Sequence, residues 1–167
     1  EVCYNNREVK LMEIERKFML AAFPEHLPQV AHLDQYQGYL AIGPEVRIRR
    51  TINHADGSET YILCIKSVGD LVRHEVETDL TREQFEEIAS MLEYPLIHKD
   101  QRVYRMPDGR LLECSVVDEG AFSYAEVEFE SEEAANAWPK PDYLGDEMTY
   151  VKDFKMHDYW SNRDVVK

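Results

Sequence analysis

The sequence predicts an α+β domain dominated by an antiparallel barrel or a strongly curved sheet. Three observations carry this. Apolar and polar residues alternate with period two over most of the chain, as in half-buried strands. Short, turn-rich tips join the alternating runs, so neighbouring strands should be antiparallel. Helical spacing is confined to a few segments, too few to cover both faces of a parallel sheet.

Met12–Leu20 is the first expected strand, and Gln35–Ile42 the second. Gly43-Pro44 breaks that run, and Glu45–Thr51 resumes it. Asn53–Gly57 reads as a hairpin tip leading into Thr60–Lys66, and Gly69-Asp70 turns into Leu71–Leu80. Thr81-Arg-Glu-Gln is a capping box, and Phe85, Ile88, Met91 and Leu92 follow at helical spacing, which predicts a helix over Arg82–Glu93. Pro107-Asp108-Gly109 separates strands at Arg102–Met106 and Arg110–Val117, and Asp118–Gly120 leads into Phe122–Glu130. Ser131 can cap a short helix over Glu132–Trp138, and Glu147–Trp160 reads as a terminal helix. That makes about eight strands.

Length and composition set the bounds. A chain of 167 residues is one domain by length, large enough to fold without a disulfide or zinc staple. Residues 1–11 read as an N-terminal extension, native or added, ahead of a domain spanning 12–163. Acidic residues outnumber basic ones 33 to 19, and the net charge of −14 argues against nucleic-acid and anionic-membrane partners. Cys3, Cys64 and Cys114 form neither a disulfide framework nor a zinc motif. No secretory signal or membrane-length apolar run is visible, so the cytoplasm is the expected compartment. A monomer or a homodimer is expected. The six histidines show no ligand spacing.

The charge is sorted by strand face. Glu13, Glu15 and Lys17 share one face of the first strand, and Arg47 and Arg49 share one face of the third. Arg73, Glu75, Glu77 and Asp79 share a face, as do Glu126 and Glu128, while Lys66 ends the face opposite Tyr61, Leu63 and Ile65. A solvated outer face explains any one of these strands. It explains the set less well, because like charges at i and i+2 lie only about 6.5–7 Å apart and repel. Paired carboxylates chelate a hard cation, and paired guanidiniums grip phosphate oxygens. Such faces meeting inside a barrel would bind a metal polyphosphate.

Several segments resemble one family. Met12-Glu-Ile-Glu-Arg-Lys-Phe18 is similar to the ExExK signature of the CYTH, or triphosphate tunnel metalloenzyme, superfamily. Gln37-Gly-Tyr-Leu40, Val46-Arg-Ile-Arg49, Ile62-Leu-Cys-Ile-Lys66, Arg73-His-Glu-Val-Glu77, Ala125-Glu-Val-Glu-Phe129 and Leu144-Gly-Asp-Glu-Met-Thr149 resemble its later motifs, in order. The resemblance implies an eight-stranded antiparallel β tunnel, closed as a barrel, with a few flanking helices. It implies binding of a triphosphate with Mg²⁺ or Mn²⁺ and, in compact bacterial members, hydrolysis of inorganic tripolyphosphate. Relatives include thiamine and RNA triphosphatases and adenylate cyclases, so the alternatives are a nucleoside or thiamine triphosphatase or an adenylate cyclase of the same fold, or a non-catalytic polyphosphate- or nucleotide-binding module.

Carried over by position, Glu13, Glu15 and Glu128 would hold metal. Arg47, Arg49, Lys66, Arg73, Arg102 and Lys152 would bind phosphates. Lys17 would contact phosphate and, with Glu126, serve catalysis, and Glu75, Glu77 and Ser115 would complete the wall. Three departures stand out. Ser115 replaces an expected aspartate, Lys99-Asp100-Gln101-Arg102 matches the family's K-x-R with only one of its cations, and Asp153 stands where a cation is expected.

Overall fold

A computed structural model of the chain describes residues 12–151 and 155–162. Its strands are β1 (Met12–Met19), β2 (Gln29–Ile42), β3 (Glu45–Asn53), β4 (Glu59–Lys66), β5 (Val72–Asp79), β6 (Ile97–Arg105), β7 (Leu111–Val117) and β8 (Phe122–Glu128). They close into a barrel in the order β1-β5-β4-β3-β2-β6-β7-β8, with every pair antiparallel. The helices are α1 (Arg82–Ser90), α2 (Glu132–Ala137) and α3 (Met156–Asn162). None of them is long and apolar enough to cross a membrane.

Local chemistry accounts for the helix starts. The Thr81 hydroxyl accepts from the Gln84 N–H while the Gln84 side chain accepts from the Thr81 N–H, which closes the expected capping box. Ser131 caps α2 through the Ala134 N–H. The terminal helix is shorter than expected. Residues 145–149 instead lie along β1, and among the described residues of this segment Met156–Asn162 is helical. The glycine explains the docking: a Cβ on Gly145 would sit 2.9 Å from the Met19 carbonyl oxygen. β2 and β6 begin several residues before the alternation suggests, because each finds a long partner in the other, from Gln29↔Tyr104 to Gln37↔Ile97.

The apolar core lies mostly outside the barrel wall. Ile14, Phe18, Leu112, Cys114, Ala125, Val127 and Phe129 point outward and pack with Ala135 and Leu144. A second cluster plugs the barrel interior at one end, where Tyr39, Ile97, Val117 and Tyr124 meet Trp160 of α3. The Trp160 indole N–H donates to the Pro95 carbonyl at 2.9 Å and fixes that cap. The rest of the interior is polar. An inside-out arrangement of this kind is stable because the helices and connecting segments give the outer face an apolar partner.

Candidate active site in the barrel interior

The inward faces of the strands enclose a cavity of about 180 Å³. Glu13, Glu15, Lys17, Arg47, Arg49, Lys66, Arg73, Glu75, Glu77, Glu126 and Glu128 all line it, so most of the expected site residues come together. Three do not. Ser115 is fully buried on the Glu113 face of β7, and its hydroxyl meets no partner. Lys152 lies outside the described residues. Arg102, expected on phosphate, points out of the barrel, bonds Asp100 at 3.0 Å and stacks 4.2 Å over the Phe23 ring. The reason is strand parity. Lys99 and Gln101 take the inward positions of β6, so Asp100 and Arg102 must face outward. Of the two cations that could match the family's K-x-R, the lysine is the one inside.

Sequence reasoning left several lining residues unassigned: Lys99, Gln101, Glu113, Glu45, Gln37, Tyr39 and Tyr124. The period-two rule could have found Glu45 and Glu113, which lie two residues before Arg47 and Ser115. Tyr39 and Tyr124 pack with Trp160 and also form the cavity's aromatic end.

β1 places three functional side chains because it is clamped on both edges. Its first half pairs with β5, through Met12↔His74 to Ile14↔Val72. Its second half pairs with β8 on one edge and meets residues 145–149 on the other. There the Met148 N–H donates to the Lys17 carbonyl at 2.7 Å, and the Lys17 N–H donates to the Thr149 hydroxyl at 3.0 Å. Arg16 locks the clamp from outside. Its guanidinium donates to both Glu147 oxygens at 2.8 and 2.7 Å, and to the Ala135 and Trp138 carbonyls.

Electrostatics divide the cavity. Lys66 bonds Glu13 and lies 2.7 Å from Glu75, and Arg73 reaches Glu13 at 3.1 Å. Burial opposes ionisation of Glu13, yet the hydrogen bond from Glu75 and the charges of Lys66 and Arg73 hold its carboxyl below the usual range. Burial acts the other way on Glu15, and the charges of Glu126 and Glu13 add to it, so its carboxyl is raised well above the usual value. Lys17 lies 2.9 Å from Glu126. Burial disfavours its ammonium, but Glu126 and Glu15 outweigh burial and raise its pKa. Lys17 is therefore held as a cation rather than as a base. Lys99 is the opposite case: burial, reinforced by Arg47, Arg49 and Lys17, lowers it to about 7 despite Glu126. Glu45 falls to about 2, since His157, Arg47 and Arg73 overcome its burial. Burial and the nearby Glu126 push Glu113 up.

Carboxylate oxygens, the ligand type a hard divalent cation takes, gather along the β1–β8 seam of the cavity. Glu15 pairs directly with Glu128 across the β1–β8 ladder, and Glu13 lies two residues away on the same face. The donors are all oxygen, as such a cation requires. The crowding that raises Glu15 is the repulsion a bound cation relieves. Nine carboxylates line the cavity against seven lysines and arginines, a small surplus that suits a divalent ion.

The sequence and the fold are similar to those of known proteins. The chain is 36% identical to an inorganic triphosphatase of Nitrosomonas europaea over 151 residues, covering 87% of this chain and 94% of that one. The chain belongs to the CYTH, or triphosphate tunnel metalloenzyme, superfamily. The crystal structure of the inorganic triphosphatase NE1496 superposes with a TM-score of 0.63 at 31% identity, over 89% of this chain and 93% of that one. The PH1819 protein of Pyrococcus horikoshii OT3 shares the fold, with a TM-score of 0.56 at 17% identity over 74% and 82% of the two chains. No family model matches the chain.

Proposed function

We propose that this protein hydrolyses inorganic tripolyphosphate inside the barrel, with Mg²⁺ or Mn²⁺ held by Glu13, Glu15 and Glu128. The observation that carries the reading is a pair of buried guanidinium groups. Nε of Arg47 and Nε of Arg49 are buried in the cavity wall and meet no protein acceptor. A buried donor left unpaired costs about 1–3 kcal/mol. A polyphosphate, rich in acceptor oxygens, removes that cost. Lys66, Arg73, Lys17 and Lys99 converge on the same space and offset further negative charge. The relative named an inorganic triphosphatase supports the same substrate.

Hydrolysis of a phosphoanhydride needs positioning and charge neutralisation more than covalent help from the protein. Arg47, Arg49 and Lys66 orient the chain of phosphates, and Lys17, kept cationic by Glu126, faces the phosphoryl oxygens. A bound divalent ion supplies Lewis-acid polarisation of those oxygens. Glu113, whose proton affinity is raised, is a group able to accept a proton from water. A cytoplasmic setting suits a chain whose described cysteines, Cys64 and Cys114, are both free.

The test is phosphate release from tripolyphosphate with Mg²⁺ or Mn²⁺, measured beside a Glu13→Ala, Glu15→Ala double variant. Metal-dependent release that the variant loses is the expected result. No release by the wild-type protein, with tripolyphosphate still bound, would replace hydrolysis by a binding role. Ser115, which puts a hydroxyl where the family resemblance expects a carboxylate, and Asp153, which stands where it expects a cation and lies outside the described residues, favour that second reading.

A further inference from the structure

The barrel wall holds a second set of converging donors, distinct from Glu13, Glu15 and Glu128 and different in chemistry. Cys64 of β4 lies directly across the ladder from Glu77 of β5, with Glu75 two residues away on the same face. The thiol sulfur of Cys64 and one carboxylate oxygen each from Glu75 and Glu77 lie within 4.8 Å of one another. Among the described residues, no other set of three or more His, Cys, Asp and Glu side chains brings its donors this close. Cys64 is fully buried and does not itself line the cavity, whereas Glu75 and Glu77 do, so an ion held by the two carboxylates would sit at the cavity wall next to the thiol. We propose that Cys64, Glu75 and Glu77 form a site for a thiophilic divalent cation such as Zn²⁺ or Cd²⁺.

The required movement is small. Zn–S and Zn–O bonds of about 2.3 and 2.0–2.2 Å put the donors of a tetrahedral site about 3.3–3.7 Å apart. The Cys64 sulfur is already 3.9 Å from the nearer Glu75 oxygen.

The ion must displace two cations. Lys66, 2.7 Å from Glu75, keeps its bond to Glu13. Arg49 makes only a loose 3.5 Å contact with Glu77 and stays in the cavity wall beside Arg47. The thiol makes the selectivity. A thiolate is a soft ligand that Mg²⁺ does not take, whereas Zn²⁺ and Cd²⁺ do. Binding exchanges the Cys64 S–H proton for the metal, and the proton leaves to solvent. The site does not depend on hydrolysis of any triphosphate, so it can stand or fall separately from the proposed activity.

The experiment is a Cd²⁺ titration of the full chain without substrate, followed by the ultraviolet thiolate-to-cadmium charge-transfer band. One equivalent should develop the band. Cys64→Ser should abolish it, and Cys3→Ser and Cys114→Ser should keep it. Glu77→Gln, which leaves the thiol in place, should weaken Cd²⁺ binding by at least the about tenfold that even outer-shell changes cost at metal sites. A large excess of Mg²⁺ should leave the band intact. The proposal is overturned if no band forms at stoichiometric Cd²⁺, if the band survives Cys64→Ser in a folded protein, if Mg²⁺ erases it, or if Glu77→Gln binds Cd²⁺ as the wild type does.

Discussion

Glu15 and Glu128 stand opposite each other across the β1–β8 ladder, two carboxylates at a cross-strand position where like charges destabilise. Burial and the charges of Glu126 and Glu13 add to the strain on Glu15, and its carboxyl is raised well above the ordinary value. A group raised in this way takes up protons in the folded state more readily than in the unfolded one. Stability is then lost as pH rises through the raised value and recovered as pH falls. Glu15→Gln should therefore stabilise the metal-free protein at neutral pH and flatten that pH dependence. It should also remove stabilisation by Mg²⁺ or Mn²⁺, which at 100 times the Kd amounts to about 2.7 kcal/mol for the wild type. Thermal melts with and without metal read both effects. A Glu15→Gln protein that melts below the wild type without metal would contradict the repulsion.

Lys99 makes a second, independent prediction. Its pKa is lowered from 10.5 to about 7. Between those values the unfolded chain binds the proton that the folded chain lacks, so stability contributed through Lys99 rises with pH across that window and its penalty is complete below it. A bound polyphosphate favours the ammonium form. At pH 8 tripolyphosphate binding should draw in a proton at Lys99, visible as a binding enthalpy that depends on the buffer's ionisation enthalpy. Lys99→Met should remove that dependence and weaken binding. Equal buffer dependence in wild type and variant would show that Lys99 does not meet the phosphates.

The charged strands differ in how far the sequence alone made them legible. Alternation in β1, β3, β5 and β8 grouped Glu13, Arg47, Glu75 and Glu126 with their charged neighbours on single strand faces, because a strand's side chains change sides at every residue and no partner need be known. The K-x-R region lacked that guide. Its charges fall at Lys99, Asp100 and Arg102, on both faces, and only the pairing of β6 with β2 and β7 decides which parity faces in. The inverted core was legible only through the family resemblance, since alternation gives two faces and does not say which one is wet. The helical reading failed over residues 147–151 for a related reason. Local spacing there suits a helix, but hydrogen bonds from Met148 to Lys17 and from the Lys17 N–H to Thr149 hold the start of the segment extended along β1.

Arg102 supplies the control. It lies on the outer wall with Asp100 and Phe23, away from the cavity. Arg102→Ala should change kcat and KM for tripolyphosphate by less than about twofold and cost at most about 1 kcal/mol of stability, the range of an exposed ion pair. A large rise in KM would return Arg102 to the phosphate-binding set and overturn the parity assigned to β6.

The clamp on β1 gives the last prediction. Lys17 reaches the cavity from a backbone whose N–H is satisfied by the Thr149 hydroxyl, and that hydroxyl in turn donates to Glu147 at 2.9 Å. Glu147 accepts both arms of Arg16. The chain Lys17–Thr149–Glu147–Arg16 therefore ties the cavity side of β1 to its outer side. Thr149→Val keeps the shape, removes the acceptor and leaves a buried N–H unpaired, at a cost of about 1–3 kcal/mol. Because Thr149 also lines the cavity, loss of stability alone does not isolate positioning. Glu147→Gln does, since that side chain does not line the cavity. It should weaken the hold on Arg16 and lower kcat with KM nearly unchanged, as expected when Lys17 is misplaced toward the reacting phosphoryl group but the Arg47 and Arg49 grip remains. Thr149→Ser, which restores the acceptor, should recover most of the activity that Thr149→Val loses. If Thr149→Ser is as impaired as Thr149→Val, the methyl group and not the hydrogen bond is what places Lys17.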